Sequence, residues 1–128
     1  MKNSIYRSFE DLELYKAARE FRKAIYAMIK KLPDSEKFNL ISQMRRAATS
    51  LTNNIAEGNG RYHYQESIQF CRQARGSLAE LIDDLNICID EKCFPEKEMN
   101  ELKLKAQEIN KILNGFIAYL KKRKESDD

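Results

Sequence analysis

Arginine and lysine carry the most suggestive chemistry in this chain, because they are clustered although their total is almost balanced. Twenty-three Lys and Arg face 20 Asp and Glu, a formal net charge of only +3, so overall charge says little about a polyanionic partner. The clusters say more. Arg45 and Arg46 are adjacent, Arg61 follows a glycine pair, Arg72 and Arg75 lie three apart, and Lys121, Lys122, Arg123 and Lys124 form an unbroken run. Such groups neutralise phosphates and release counterions with little sequence preference. These nine residues are the candidates for a nucleic-acid interface. The terminal run has a plainer reading as well, since cations at a helix C-terminus are favoured by its dipole. Tyr15, Arg19, Arg22 and Tyr26 interleave aromatic and basic groups on one helix face, a pattern that suits base stacking or a subunit interface equally.

Two carboxylates, Glu57 and Glu80, sit among small residues where acid and base work is conceivable. Pairing with arginine is the simpler role. Between Gln43 and Gly58 the chain is unusually rich in short polar side chains. On a helix, Gln43, Arg46, Ser50, Asn54 and Glu57 fall on one flank of the apolar seam, and Arg45, Thr49 and Thr52 on the other. Buried amides and hydroxyls lose about 1–3 kcal/mol each when unpartnered. A structural network of Asn54, Glu57, Gly58 and Glu80, with Arg46 joined to Glu57 or Glu80, is therefore expected. Arg75 falls within an apolar wing and is expected to need a carboxylate, because breaking a buried ion pair costs roughly 3–5 kcal/mol.

Catalysis is not expected. His63 is the single histidine, so neither a histidine pair for a metal nor a histidine-centred triad can form within one chain. Gly58-Asn59-Gly60 follows a helical pattern, not a strand, so it is no phosphate-cradling loop. No cofactor site is indicated. The three cysteines, Cys71, Cys88 and Cys93, are odd in number and lack zinc spacing, which points to reduced thiols in a cytosolic setting. No apolar run approaches the ~18 residues of a membrane span, and the polar start Met1 to Ser8 lacks the apolar stretch of a secretory leader.

The elements that must hold these groups are helices. With 34% charged residues, 4 Gly and 2 Pro in 128 residues, the mixture is that of long amphipathic helices in one domain. Leu14, Ala18, Phe21, Ile25, Met28 and Leu32 recur at steps of four and three before Pro33, predicting a helix over about 10–32. Leu40, Met44, Ala47, Ala48, Leu51 and Ile55 predict a second over about 36–57, closed by glycines whose left-handed conformation costs little. A third spans about 64–91. The fourth, over about 96–122, carries Met99, Leu102, Ala106, Ile109, Leu113, Phe116 and Leu120 and should fray into the tail at 121–128. Short connections favour an antiparallel up-down-up-down four-helix bundle, all-α. Helix three is apolar over an arc of about 160°, wider than the ~100° of a surface helix. Its second wing, Ile68, Cys71, Ile82 and Ile89, implies another partner, and a second subunit is the simplest one.

Four segments together resemble a known family. Phe9-Glu10-Asp11-Leu12-Glu13-Leu14-Tyr15-Lys16-Ala17-Ala18, then Gln43 to Ala48 with Ser50, then Asn54-Ile55-Ala56-Glu57-Gly58 with Arg61, and Arg75-Gly76-Ser77-Leu78-Ala79-Glu80-Leu81 are similar to the four-helix proteins encoded in intervening sequences of bacterial 23S rRNA genes. The resemblance implies a homopentameric ring, a bacterial cytoplasmic setting and no catalysis. The family also resembles the accessory variability protein of diversity-generating retroelements, a basic barrel that binds nucleic acid and a reverse transcriptase. Arg45, Arg46, Arg61 and Arg75 match family positions, whereas Lys121 to Lys124 is similar only in composition. The expected function is non-specific binding of RNA or DNA by a non-enzymatic homo-oligomer. A protein-interaction scaffold with structural arginines is the alternative.

Overall fold

The computed structural model describes residues 8–127, without the side chains of residues 36–38 and 127. The start at residues 1–7, expected to lack a leader, lies outside the described residues. Four α-helices and no strands occur among the described residues: α1 (Glu13–Ile29), α2 (Ser42–Gly58), α3 (Tyr64–Asp90) and α4 (Glu96–Asp127). A 3-10 turn, Phe9–Asp11, precedes α1, and the Ser8 hydroxyl caps it by accepting from the Glu10 amide at 3.2 Å. None of the helices described is long and apolar enough to cross a membrane.

The core follows the periodicity. Every apolar residue expected on the inner faces of the first two helices is buried, and Ile29 joins them. From α3 the core takes Ala74, Leu78, Leu81, Leu85 and Cys88, and from α4 Met99, Ala106, Ile109, Leu113, Ile117 and Leu120. Each fully buried Leu, Ile or Phe contributes about 1.5–3 kcal/mol relative to exposure, so this shared interior dominates stability. α2 packs against α1 and α3, α4 packs against α3, and α1 meets α4 more sparsely. Neighbours run in opposite senses. Arg22 and Tyr26 reach Thr52 and Thr49, Arg46 reaches Glu80 while Ser50 meets Ser77, and Asn86 meets Lys103 while Arg75 meets Asn114.

Three expectations change. The second wing of α3 does not stand open: Ile68 and Cys71 are buried, and Ile82 and Ile89 pack onto the core. The wide arc is used within the chain because α3 is flanked by both α2 and α4. The exposed large apolar side chains lie elsewhere on the helices, at Leu104 (61% exposed), Ile112 and Tyr119 of α4. Second, the start of helix two is not plain α-helix. Residues Asp34–Glu36 form a 3-10 turn and Lys37–Ile41 a π turn before α2 begins, a widened geometry that still delivers Leu40 to the core. Third, the tail does not fray at 121. α4 continues to Asp127, held by contacts to the first turn of α3 described below.

The α3–α4 connection is also specific. The Cys93 amide donates to the Cys88 carbonyl at 2.9 Å and the Lys92 amide to that of Ile89 at 3.1 Å, with Lys92 left-handed at φ 56°. This is the Schellman closure, with lysine at the position usually held by glycine.

A candidate nucleic-acid interface

The end of the molecule where α2 hands over to α3 is set by two glycines doing different things. Gly60 has φ +75° and is the left-handed turn residue. Gly58 is helical and buried. A Cβ there would lie 2.8 Å from Phe70 Cβ and 3.4 Å from the Ser67 carbonyl oxygen, so it lets α2 and α3 approach. α2 ends at Gly58, as expected, and the glycine there also serves close packing. Gly58→Ala is expected to cost about 1–2 kcal/mol by overpacking, even with the ~1 kcal/mol that alanine gains in helix propensity. Urea unfolding of the two proteins measures it, and equal midpoints would refute it.

Because Gly58 meets α3 at Ser67 and Phe70, the first turn of α3 extends beyond the end of α2. The last turns of α4 run beside it. Lys124 Nζ donates to Gln65 Oε1 at 2.8 Å, and the Arg123 guanidinium donates to the Tyr64 hydroxyl at 3.4 Å while lying 6.0 Å from the ring centroid. Lys121, Lys124, Arg72, Gln65, Ile68 and Glu125 line one recess of about 330 Å³. Arg72, Lys121 and Lys122 are exposed. Residues fifty apart in sequence thus supply one positive surface, and Glu125 is the acidic group in its lining. Arg61 lies at the same end but is engaged: it pairs with Glu57 at 2.7 Å, donates to the Glu57 carbonyl at 2.8 Å and stacks 4.7 Å from the Phe70 centroid.

The remaining candidate arginines are elsewhere. Arg45 and Arg46 begin about 18 Å along the α2 axis from Gly58, at ~1.5 Å per residue. They diverge to different neighbours. Arg45 lies 5.0 Å from the Tyr26 centroid on the α1 side, where Tyr26 bonds Thr49 and Arg22 donates to Thr52 Oγ1 at 2.9 Å. Arg46 pairs with Glu80 at 3.6 Å on the α3 side, an exposed pair worth little by itself. Asn54 Nδ2 donates to the Ser50 carbonyl and hydroxyl, and the Ser77 hydroxyl bonds that of Ser50 at 3.0 Å. Glu57 and Glu80 therefore serve separate arginines. Arg75 departs from expectation: it is only half-buried, and its Nη1 donates to the Asn114 amide oxygen at 2.7 Å, not to a carboxylate. Partial hydration removes the need for a full counter-charge. Tyr15, offered above as a stacking group, packs edge-on against Phe9 at 4.9 Å.

Two buried groups escaped the sequence reading of chemistry. Asp84 is 2% exposed and its Oδ2 has no hydrogen-bond partner among the described residues. Burial, then the negative fields of Glu80 and Asp83, push its carboxyl up to about 6 against the opposing pull of Arg46. Its spacing of seven from Ser77 on the α2-facing flank was the available signal. The Cys71 thiol is pushed up to about 11 by burial and stays protonated. Cys71, Cys88 and Cys93 form no disulfide. No group of three His, Cys, Asp or Glu capable of holding a metal occurs among the described residues. His63 is exposed and lies edge-on to Tyr62.

Residues 10–115 match the 23S rRNA-intervening sequence protein family. No curated protein matches the sequence. Among solved structures, a protein of unknown function from the S23 ribosomal protein family of Bacteroides thetaiotaomicron is similar, with a TM-score of 0.76 at 24% identity, covering 81% of this chain and 97% of that one. That likeness establishes a shared fold. With the match covering the first three helices and more than half of α4, the chain belongs to the 23S rRNA-intervening sequence protein family.

Proposed function

We propose that this protein is a non-catalytic, self-assembling helical protein whose α3/α4 end binds RNA or DNA with little sequence preference. The observation that carries the reading is the convergence of Arg72, Lys121 and Lys124 on one recess. Clustered cations beside a rigid helix end attract phosphates through counterion release. The opposed senses of neighbouring helices support an up-down-up-down bundle, and family resemblance supports a cytoplasmic homopentameric ring. Five copies at +3 each would raise the formal charge to +15 and strengthen the field. The test is an electrophoretic mobility shift with structured RNA and duplex DNA at roughly 50 and 200 mM salt, where binding should fall steeply. Binding to neither polymer would refute the reading.

Self-assembly is supported by α4, where Leu104 and Ile112 stand exposed beside recesses of about 630 and 520 Å³ between α1 and α4. Small side chains at Ala17 and Ala24 leave room in that seam, and exposed apolar surface of this kind commonly marks an interface. Leu104→Asp with Ile112→Asp is expected to reduce the mass measured by sedimentation to that of a monomer while the helical signal persists. A wild-type monomer at micromolar concentration would contradict the proposal outright.

A scaffold that docks a partner protein, a reverse transcriptase being the kind the resemblance implies, is the second reading. The engagement of Arg45, Arg46 and Arg61 within the chain favours it, because those arginines then have structural work.

A further inference from the structure

Tyr62 is 91% exposed, the most exposed large apolar-bodied residue described. It sits in the α2–α3 connection between Arg61 and His63, and its one ring contact among the described residues is the edge-on His63 at 4.8 Å with the planes at 81°. At least one face of the phenol ring is open to solvent. Two residues on, Tyr64 lies under Arg123, and Gln65 accepts from Lys124, so the open ring stands at the tip that carries the cationic recess. An exposed tyrosine alone is ordinary. What distinguishes this one is its place just before Tyr64 and Gln65, the residues that meet Arg123 and Lys124, with Gln65 itself in the lining of the recess that Arg72, Lys121 and Lys124 share.

Duplexes and single strands make different demands on such a site. Paired bases are stacked on each other and offer a protein mainly phosphates and groove edges, whereas an unpaired base offers a free face. Aromatic rings beside a positively charged track are the means by which proteins hold single strands without reading sequence. From this juxtaposition we infer that the α3/α4 end selects single-stranded nucleic acid, with the strand's phosphates on Arg72, Lys121 and Lys124 and an unpaired base stacked on Tyr62. The inference rests on the nucleic-acid reading and narrows it to one substrate class. It assigns Tyr62 a base-binding role and the cations the phosphate role, so the two contributions respond to different perturbations.

Fluorescence anisotropy of the intact protein with a labelled 12-nucleotide oligouridine and a labelled 12-base-pair duplex tests it, at roughly 50 and 200 mM salt. The single strand should bind more tightly. Tyr62→Ala should weaken oligouridine binding roughly 5- to 100-fold, the equivalent of one lost base stack, with the salt slope unchanged and the duplex affinity unmoved. Tyr62→Phe should bind like the native protein, because stacking needs the ring and not the hydroxyl. The chain contains no tryptophan, so Tyr62→Trp supplies a single indole whose emission should be quenched by the oligonucleotide. Equal affinity for both polymers, or a Tyr62→Ala protein that binds oligouridine like the native one, overturns the inference while salt-sensitive binding would leave the broader reading intact. Binding to neither polymer overturns both.

Discussion

Replacing Arg72, Lys121 and Lys124 together by glutamine is expected to weaken polyanion binding on the order of 100-fold near 0.15 M salt. The magnitude follows from counterion release: each phosphate contact contributes about 0.9 to the slope of log affinity against log salt, or roughly fivefold at that concentration. Three contacts multiply to about 10², and the slope should fall by about 3. All three side chains line one recess outside the core, so core packing should survive; the Lys124–Gln65 contact at the end of α4 is lost, and circular dichroism should change by no more than that last turn. Glutamine at Arg45 and Arg46 is the contrasting variant. Those arginines are engaged with Tyr26 and Glu80, and their replacement should leave the slope within about 1 of native. If the α2 pair governs the salt dependence and the triple variant does not, the interface has been assigned to the wrong end.

The second large effect is on stability and comes from Asp84. A carboxyl displaced from 3.8 to about 6 in the folded protein binds a proton that the unfolded chain has already released. Folding stability from this group is therefore present below about pH 4 and is lost as pH rises through 6. At ~1.4 kcal/mol for each pH unit of displacement, the loss approaches 3 kcal/mol by pH 7. Asp84→Asn removes the titration. Relative to native, the variant should gain about 3 kcal/mol in urea unfolding between pH 4 and pH 8, which isolates Asp84 from carboxylates common to both proteins. A stability difference that is flat over that interval would show that Asp84 is solvated or paired in solution.

The inner faces of the first two helices were legible because steps of three and four leave one solution for Leu14 through Leu32 and for Leu40 through Ile55, and all of those residues are buried. Pro33 and the glycines located the breaks for the same local reasons. The assignment of the α3 second wing failed because periodicity reports an apolar arc without saying how many neighbours share it, and α3 lies between α2 and α4 with Ile68 and Cys71 in the common core. The continuation of α4 past 121 was hidden too. A run of four cations reads as a frayed end until Gln65 and Tyr64, brought alongside by the fold, supply partners. The candidate site was legible as a list of basic residues but not as a place. Only the antiparallel register of α3 and α4 separates Arg72, Lys121 and Lys124 from Arg45, Arg46 and Arg75. Asp84 was missed because it adjoins Asp83, and an acidic pair on a helix reads as solvent-facing until one member proves to be inside.

The overhang of α3 and α4 beyond Gly58 makes the two proposed activities independently mutable. Leu104 and Ile112 lie nine or more residues before Lys121 on the same helix, about 14 Å or more along its axis at ~1.5 Å per residue. Lineages could therefore redraw one surface while leaving the other as it was. Drift at the tip would retune ligand choice without dissolving the assembly, and changes along the α1/α4 seam would alter subunit number without blinding the tip.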